Sequence, residues 1–240
     1  MTAIERLHLH GILRRGTPAR GFHFKHADGG RVTAQDLDRI EQLKIPPAWK
    51  DVAINSAANG RIQAVGQDAA GRWQYIYHQS HVRAQHRKKF QRLVRFGETL
   101  PKLRTTVARD LRLSGLPKER VMAAILRILS VSFIRPGSEI YASENGSYGI
   151  ATLRPRHVSV KGVRITLEFP GKSGQDHTLE IRDRLAAATL KELLQSSNRR
   201  VFKYQGPDGT FNVTSRTINH YLKDVMGQSF SPKDFRTWAG

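Results

Sequence analysis

Three basic residues of the chain lie in local surroundings that differ from those of a solvated helix face. Arg135 follows an apolar stretch in SFIRPG, and Lys172 lies between glycines in FPGKSG, at the tip of a predicted hairpin. Arg236 lies beside two large aromatic residues in KDFRTW. A guanidinium binds paired anionic oxygens as a planar fork, and a lysine can donate a proton. Each residue alone could instead form a structural ion pair, so a functional role depends on the three acting together.

The net charge of the chain favours a polyanionic partner. Its 240 residues contain 40 Lys and Arg against 20 Asp and Glu, which gives a net charge of +20. The basic residues are spread along the whole chain, and a surplus of this size attracts nucleic acid. A solvated basic surface is the simpler alternative, but nucleic acid is the partner that the charge predicts.

Several classes of site are missing from the sequence. There are no cysteines, which excludes disulfides, thiolate catalysis and cysteine zinc sites and fits a reducing cytoplasm. No P-loop, Rossmann glycine pattern or His-Glu-x-x-His motif occurs, so we expect no ATP, nicotinamide or other cofactor. His78, His81 and His86 fit no common zinc spacing, so we also expect no metal site. The sequence predicts neither a secretory signal nor a membrane span.

The first part of the chain has the pattern of strands and turns. Residues 1–20 are basic and lack periodicity, which predicts a loose N-terminal arm. Residues 21–85 predict a β-rich domain that begins with a hairpin around Asp28-Gly29-Gly30 and a short helix after Thr33. Strands are expected in DVAINSA, GRIQAVGQD and RWQYIYH.

Residues 86–240 predict a mainly helical domain. A basic helix in HVRAQHRKKFQRLVRFGETL would bury Val82, Phe90, Leu93 and Val94, and a separate helix would follow in LRTTVARDLRL. Further helices are expected in KERVMAAILRILSVSFI, LAAATLKELLQ and TSRTINHYLKDVMG, and strands in VRITLEF and HTLEI. The predicted fold class is therefore α+β: an N-terminal antiparallel β-sheet domain, then a mainly α-helical domain with a small β-hairpin sheet.

The motifs around the three basic residues resemble, in order, those of type IB DNA topoisomerases of the small poxvirus and bacterial kind. FIRPGSEIY with ENGSYGIATL is similar to the first catalytic-arginine region, FPGKSG to the catalytic-lysine hairpin, and SPKDFRTWAG to the second arginine motif. Upstream, IPPAWKDV, NGRIQA and QYIYH resemble the DNA-clamp domain of that family. Each motif alone is weak, but the ordered set, from about Gly21 to Gly240, is specific.

This resemblance implies ATP-independent relaxation of supercoiled duplex DNA through a 3′-phosphotyrosine. A tyrosine attacks a backbone phosphate, the 5′-oxygen leaves, and its return reseals the strand. Arg135 and Arg236 would hold the non-bridging oxygens, because guanidinium forks match that geometry. Lys172 would protonate the leaving oxygen, since lysines near other cations can release a proton at neutral pH. A lysine on a narrow hairpin would also fit the minor groove beside the scissile phosphate.

The resemblance also implies a set of DNA-binding residues. Gln74 and Tyr75 would contact the major groove, and Tyr77 would touch the backbone. Tyr141 and Lys233 fall within the matched motifs and are expected to bind DNA as well. From the residues alone, Tyr75 and Tyr77 could equally be core, because they share one face of a strand.

The sequence departs from the family pattern in two places. Pro136 and Ser138 replace a branched aliphatic residue and an asparagine, which predicts an altered turn after Arg135. The family has a histidine and the nucleophilic tyrosine some tens of residues beyond the second arginine, and neither lies within these 240 residues. Tyr221 precedes Arg236, so we do not assign it as the nucleophile. We therefore expect a chain that is truncated before its nucleophile and inactive alone.

Two alternatives remain open at this stage. A tyrosine recombinase or integrase shares the chemistry, but such enzymes usually carry a histidine where this sequence has Lys233. A non-catalytic module that binds duplex DNA would show salt-sensitive affinity without strand cleavage. As a type IB topoisomerase, the chain is expected to be a two-domain, monomeric, cytoplasmic and nucleoid-associated DNA clamp.

Overall fold

The computed structural model describes residues 1–195, 199–227 and 230–240. The chain divides into two compact units, Met1–Lys89 and Phe90–Gly240. In the described residues, no helix is both long enough and apolar enough to cross a membrane.

The first unit is a five-stranded antiparallel sheet with two short helices. Its elements are α1 (Ala3–His10), β1 (Ile12–Thr17), β2 (Gly21–His26), α2 (Ala34–Gln42), β3 (Lys50–Ile54), β4 (Ile62–Gln67) and β5 (Trp73–Tyr77). The strand order is β2-β1-β3-β4-β5, so β2 and β5 form the two edges. This sheet confirms the predicted N-terminal antiparallel β domain.

The N-terminal residues form part of the sheet domain, so the prediction of a loose arm over residues 1–20 is wrong. The Thr2 side chain accepts a hydrogen bond from the Glu5 amide, and the Glu5 carboxylate accepts one from the Thr2 amide. This capping box stabilises the start of α1. Leu7 of α1 is buried against the sheet, and Ile12 of β1 is fully buried. Burial of these apolar side chains orders a segment whose charge alone suggested disorder.

The first hairpin joins β1 to β2, not two strands around Asp28-Gly29-Gly30 as predicted. The register pairs Gly16 with Phe22 and Thr17 with Gly21. Both glycines have positive φ, and a Cβ at Gly16 would overlap the carbonyl of Gly21, so this turn requires glycine. The predicted turn at Asp28 exists, but it leads into α2, where the Thr33 side chain caps the Asp36 amide at 3.1 Å.

The two faces of this sheet bury separate apolar clusters. Ile12, Val52 and Ile54 pack with Ile40 of α2 on one face. Ala53 and Val65 pack with Leu7 of α1 on the other. The alternation of a β-strand produces this division, because successive side chains point to opposite faces.

The second unit is mainly helical, with two small antiparallel sheets. Helix α3 (Gln79–Asp110) begins in the first unit and continues into the second. The remaining elements are α4 (Lys118–Ser132), α5 (Glu139–Glu144), β6 (Val158–Lys161), β7 (Arg164–Pro170), β8 (Asp176–Arg182), α6 (Arg184–Leu194), β9 (Lys203–Gly206), β10 (Gly209–Asn212), α7 (Ser215–Met226) and α8 (Pro232–Ala239). Strands β6, β7 and β8 form one sheet and β9 pairs with β10. The predicted α+β class is therefore confirmed.

Helix α3 differs from the prediction in its length and in its buried face. It continues through Pro101 as one helix of 32 residues instead of two separate helices. Val82, Phe90 and Val94 are 37%, 68% and 43% exposed, and the fully buried aromatic residue is Phe96. The helical period permits either stripe, and packing against other helices selects the one that carries Phe96.

Candidate active site

Arg135, Lys172 and Arg236 line one cavity of about 450 Å³ in the second unit. The other residues that line it are Phe133, Ile134, Tyr148, Phe169, Gly171, Ser173, Gln175 and His177. The three basic residues come from a loop, a hairpin and a helix, respectively. Three cations around a cavity of this size can bind an anion with several oxygens, such as a phosphate diester.

The loop after α4 holds Arg135. Phe133 ends that helix in a left-handed conformation with φ 55°, and its amide donates to the Leu129 carbonyl. The carbonyl of Arg135 then accepts from the Ile150 amide at 2.9 Å. The backbone that carries the guanidinium is therefore tied to a later part of the chain.

A close approach of two glycines makes this loop possible. A Cβ at Gly149 would lie 2.5 Å from both the Arg135 carbonyl oxygen and the Gly137 nitrogen. Gly137 itself has φ 82°, which favours glycine. Pro136 is one of the two residues expected to alter the turn after Arg135. Its carbonyl still accepts a hydrogen bond from the Ala151 amide at 2.8 Å.

The hairpin between β7 and β8 carries Lys172. Pro170 pairs with Asp176 in the register, and the Gly171 amide donates to the Gln175 carbonyl at 2.7 Å. Ser173 and Gly174 have φ of 64° and 71°, which turn the chain sharply after Lys172. The lysine therefore stands at the tip of a hairpin, as the sequence predicts.

A direct backbone link joins the arginine loop to the lysine hairpin. The Tyr148 amide donates to the Pro170 carbonyl at 2.8 Å, and its ring packs against His157 with centroids 4.4 Å apart. The Arg154 guanidinium lies 5.2 Å from the centroid of the Tyr148 ring. Tyr148 thus stabilises the relative position of two segments that supply cations to the cavity.

Helix α8 carries Arg236 and is anchored by contacts of the residues that precede this arginine. The Asp234 carboxylate accepts from the Ser231 amide at 2.8 Å and from the Arg92 guanidinium at 2.6 Å. Phe235 is buried edge-to-face against Phe96, with centroids 5.2 Å apart. These contacts fix the helix, so the arginine side chain projects from a rigid element.

The two arginines of the cavity affect each other. Burial lowers the pKa of Arg236, and the positive charge of Arg135 lowers it further. An arginine remains protonated at neutral pH despite such a shift. The electrostatic repulsion between the two guanidinium groups favours an anion between them.

Sequence reasoning missed His177 and Tyr148 as residues of this cavity. His177 is stacked on Phe169, with centroids 5.2 Å apart and an angle of 25° between the rings. The signal that could have found His177 was strand pairing, because this residue of β8 lies opposite Phe169 of β7.

Tyr75 and Tyr77 lie on the edge strand β5 and are 38% and 40% exposed, so they are not core residues. Their rings stack with centroids 6.2 Å apart. Gln74 alternates to the opposite face, and its amide donates to the Asp68 carboxylate at 2.9 Å. Hydrogen bonds from Arg72 and other groups lower the pKa of Asp68 to about 2, so it is an anionic acceptor for Gln74.

The other two residues expected to bind DNA are exposed on the second unit. Tyr141 of α5 is 62% exposed, and Lys233 is exposed on α8. Neither belongs to the residues that line the cavity.

Tyr221 is unsuited to act as a nucleophile. Its side chain is 7% exposed, and its hydroxyl donates to the Asp110 carboxylate at 2.5 Å. Burial and the Asp110 hydrogen bond raise the pKa of this phenol. In the parts of the chain that the structure describes, no group of three or more His, Asp or Glu residues could hold a metal ion.

Comparison with known families identifies both parts of the chain. The model of the family described as eukaryotic DNA topoisomerase I, catalytic core, matches residues 79–240. The model described as bacterial DNA topoisomerase IB, N-terminal domain, matches residues 21–68. The chain belongs to the type IB DNA topoisomerase family. The resemblance inferred from the ordered motifs is thereby confirmed.

Individual relatives carry the same family name. DNA topoisomerase 1B of Acanthamoeba polyphaga mimivirus is 35% identical over 244 residues, which cover 100% of this chain and 73% of the relative. DNA topoisomerase 1B of vaccinia virus (strain Copenhagen) is 27% identical over 206 residues, or 83% of this chain and 62% of the relative. The chain thus spans less than two thirds of the poxvirus type IB topoisomerase, and about three quarters of the mimivirus protein.

Proposed function

We propose that this chain provides the phosphate-binding part of a type IB topoisomerase site, which relaxes duplex DNA by ATP-independent transesterification. The observation that carries the proposal is the presence of Arg135, Lys172 and Arg236 around one cavity. The family membership supplies the substrate class, and the net charge of +20 is suited to a polyanion.

The reaction transfers a phosphoryl group from one oxygen to another. A tyrosine oxygen forms a bond to phosphorus and its proton is released to solvent, while the bond to the DNA 5′-oxygen breaks. The bond energy is retained in the 3′-phosphotyrosine. Negative charge increases on the non-bridging oxygens in the transition state, and Arg135 and Arg236 neutralise it from fixed positions. Preorganised donors of this kind typically contribute about 10²–10³ in rate each.

Lys172 is the proposed general acid. The departing 5′-oxygen leaves with the electron pair of the broken bond and needs a proton. A lysine at an exposed hairpin tip can reach that oxygen in a groove and donate a proton to it. On reversal, the 5′-hydroxyl attacks the phosphotyrosine and returns this proton to Lys172.

The attacking tyrosine is proposed to come from outside these 240 residues. Tyr221 donates its hydroxyl to a buried carboxylate and is not free to attack a phosphate. Tyr148 lines the cavity, but it is 9% exposed and its ring is held by His157 and Arg154. Its contacts suit a structural role.

Contacts with the rest of the duplex are proposed for the exposed aromatic residues of β5. Tyr75 and Tyr77 present flat rings and hydroxyls on one face of an edge strand, which suits groove and backbone contacts. Gln74 would have to leave Asp68 to pair with a base edge, so its contribution is expected to be smaller. Tyr141 and Lys233 are proposed to contact the phosphate backbone from the second unit.

Plasmid relaxation in EDTA tests the function. The complete polypeptide that carries these residues is expected to relax supercoiled plasmid without ATP or metal, and to form a covalent adduct on the 3′ side of the break. A requirement for ATP or divalent metal would contradict the proposal. The 240-residue chain alone is expected to form no adduct; an adduct lost in Tyr148→Phe would contradict the assignment of the nucleophile.

A second candidate function is duplex DNA binding without strand cleavage. It is favoured by the hydrogen bond that occupies Tyr221 in the described structure. Both candidates predict that binding weakens by about 10³–10⁵ between roughly 50 and 200 mM salt if 6–10 phosphates are contacted. Only the first predicts that Arg236→Ala slows a strand-cleavage reaction of the complete polypeptide.

A further inference from the structure

The ring of His177 fills the space beside the turn that carries Lys172. A Cβ added at Gly171 would overlap Cδ2 and Nε2 of His177. Gly171 has φ −97° and ψ −158°, an extended conformation that any residue can adopt. The backbone conformation at this position therefore does not require glycine. The His177 ring does, because it fills the space that a Cβ would occupy.

The ring itself is held in place from the other side. His177 pairs with Phe169 across β7 and β8, and the two rings stack at 5.2 Å. Phe169 is 4% exposed and belongs to the apolar core of the second unit. A rigid core residue thus supports the histidine, and the histidine supports Gly171.

Lys172 depends on this support because little else fixes it. The hairpin tip is exposed, and Lys172 has no ion pair or hydrogen-bond partner of its side chain among residues 1–195, 199–227 and 230–240. Its orientation follows from the backbone on which it stands. A displacement of about 1 Å in a reacting group can cost about 10²-fold in rate.

We infer that His177 is a positioning residue for Lys172: its ring, wedged between Phe169 and Gly171, sets the approach of the lysine to the leaving oxygen. This inference rests on the proposed function, in which Lys172 is the general acid. In this role, His177 acts through the shape of its ring and makes no contact with the phosphate.

Replacement of the bridging 5′-oxygen by sulfur separates this role from a purely structural one. With oxygen, the P–O5′ bond breaks and the proton of Lys172 goes to the oxygen. With sulfur, the electron pair leaves on sulfur as a thiolate. Because thiols ionise near pH 8.5, that leaving group needs no proton donor. Any defect that acts through Lys172 should therefore disappear with the sulfur substrate.

The experiment compares single-turnover cleavage of both substrates by the complete polypeptide. Lys172→Ala is expected to slow cleavage of the oxygen substrate about 10²–10⁴-fold, and His177→Ala about 10–10²-fold. Both variants should approach the wild-type rate on the sulfur substrate. His177→Phe, which keeps a flat ring on Phe169, should restore most of the rate on oxygen. The matched control is His220→Ala, at an exposed histidine of α7, which should change neither rate.

The outcomes distinguish the inference from the proposed function. If sulfur rescues Lys172→Ala but not His177→Ala, or if His177→Ala keeps the wild-type rate on oxygen, the inference is wrong and the function stands. If sulfur rescues neither variant, the general-acid role of Lys172 is wrong. Failure of His177→Phe to restore the rate would also overturn positioning by shape. A thermal melt of each variant shows whether it folds, and His177→Phe keeps the test decisive if His177→Ala does not.

Discussion

The exposed face of β5 and the cavity around Arg135 present their side chains in two different ways, and we propose that both contact the same duplex. Tyr75 and Tyr77 lie on one regular strand, and simple alternation brings them together. The cavity instead combines a loop, a hairpin and a helix, each fixed by its own contacts. The first arrangement suits graded binding, and the second suits a reaction that depends on sub-ångström positions.

The largest expected effect is the loss of either arginine of the cavity. Arg135→Ala or Arg236→Ala should lower the cleavage rate of the complete polypeptide about 10²–10³-fold, because each removes a preorganised donor to the phosphate. DNA affinity should change far less, since many other phosphate contacts remain. Single-turnover kinetics and anisotropy titrations measure the two quantities.

Arg216→Ala is the control for this comparison, since Arg216 is exposed on α7 and does not line the cavity. The double variant of both cavity arginines should be little worse than one single variant if they hold the same phosphate. Equal losses of rate and affinity would instead mean that the cavity is an ordinary binding surface.

A smaller effect is expected from crowding the arginine loop. Gly149→Ala puts a methyl group 2.5 Å from the Arg135 carbonyl and the Gly137 nitrogen. Overpacking of this kind typically costs about 1–3 kcal/mol of unfolding free energy. Urea unfolding of the 240-residue chain measures this loss of stability. Because the crowded loop displaces Arg135, the cleavage rate of the complete polypeptide should also fall.

The comparison variant is Gly146→Ala, where nothing lies within 4 Å of the added Cβ and only the positive φ of 59° is unfavourable. It should cost about 1–2 kcal/mol, from backbone strain alone, and leave the reaction rate unchanged. A rate loss in Gly146→Ala equal to that of Gly149→Ala would show that the loop is not held by the glycine contact.

Truncation on the edge strand should weaken binding without a specific effect on the reaction. Tyr75→Ala or Tyr77→Ala is expected to reduce duplex affinity about tenfold, since a good base contact is worth about 1–3 kcal/mol. Cleavage at saturating enzyme should stay near the wild-type rate. Phe211→Ala, at a residue 42% exposed that stacks on Tyr204, is the matched control and should leave affinity unchanged. If a tyrosine variant bound duplex DNA with wild-type affinity, β5 would not be part of the DNA interface.

The smallest expected effect is a dependence of stability on pH near the cavity. Burial, then the charges of Arg156 and Arg154, lower the pKa of His157 in the folded chain. The unfolded chain therefore binds more protons below about pH 6.5, so this histidine reduces stability as pH falls through its folded pKa. Urea midpoints between pH 7.5 and 5.5 should fall less steeply in His157→Gln than in the wild type. If the urea midpoint of His157→Gln fell with pH as steeply as that of His220→Gln, a lowered pKa of His157 would be contradicted.

Much of the fold was predictable because local patterns agreed with burial. The alternation of Val163, Ile165, Leu167 and Phe169 predicts β7. The last three are buried, whereas Val163 is 48% exposed and precedes the strand. Val121 and Ile125 predict the core face of α4, and both are fully buried. In these elements the period of the apolar residues alone determines which face packs inward.

The errors came from features that depend on distant partners. The choice of Phe96 over Phe90 as the buried residue of α3 depends on Phe235, which lies far away in sequence. The spacing of Thr2 and Glu5 indicates an N-terminal helix, but the basic composition of residues 1–20 favoured the prediction of a loose arm. His177 was missed because its ring fills the space beside Gly171, and the spacing of residues in the sequence does not predict such a contact.

The most direct test of the shared phosphate site is a crystal structure of this chain with a short DNA duplex. We predict one backbone phosphate with its non-bridging oxygens within hydrogen-bond distance of both Arg135 and Arg236, and its 5′-oxygen facing Lys172 Nζ. A duplex whose phosphates contact the basic surface but leave this cavity empty would contradict it.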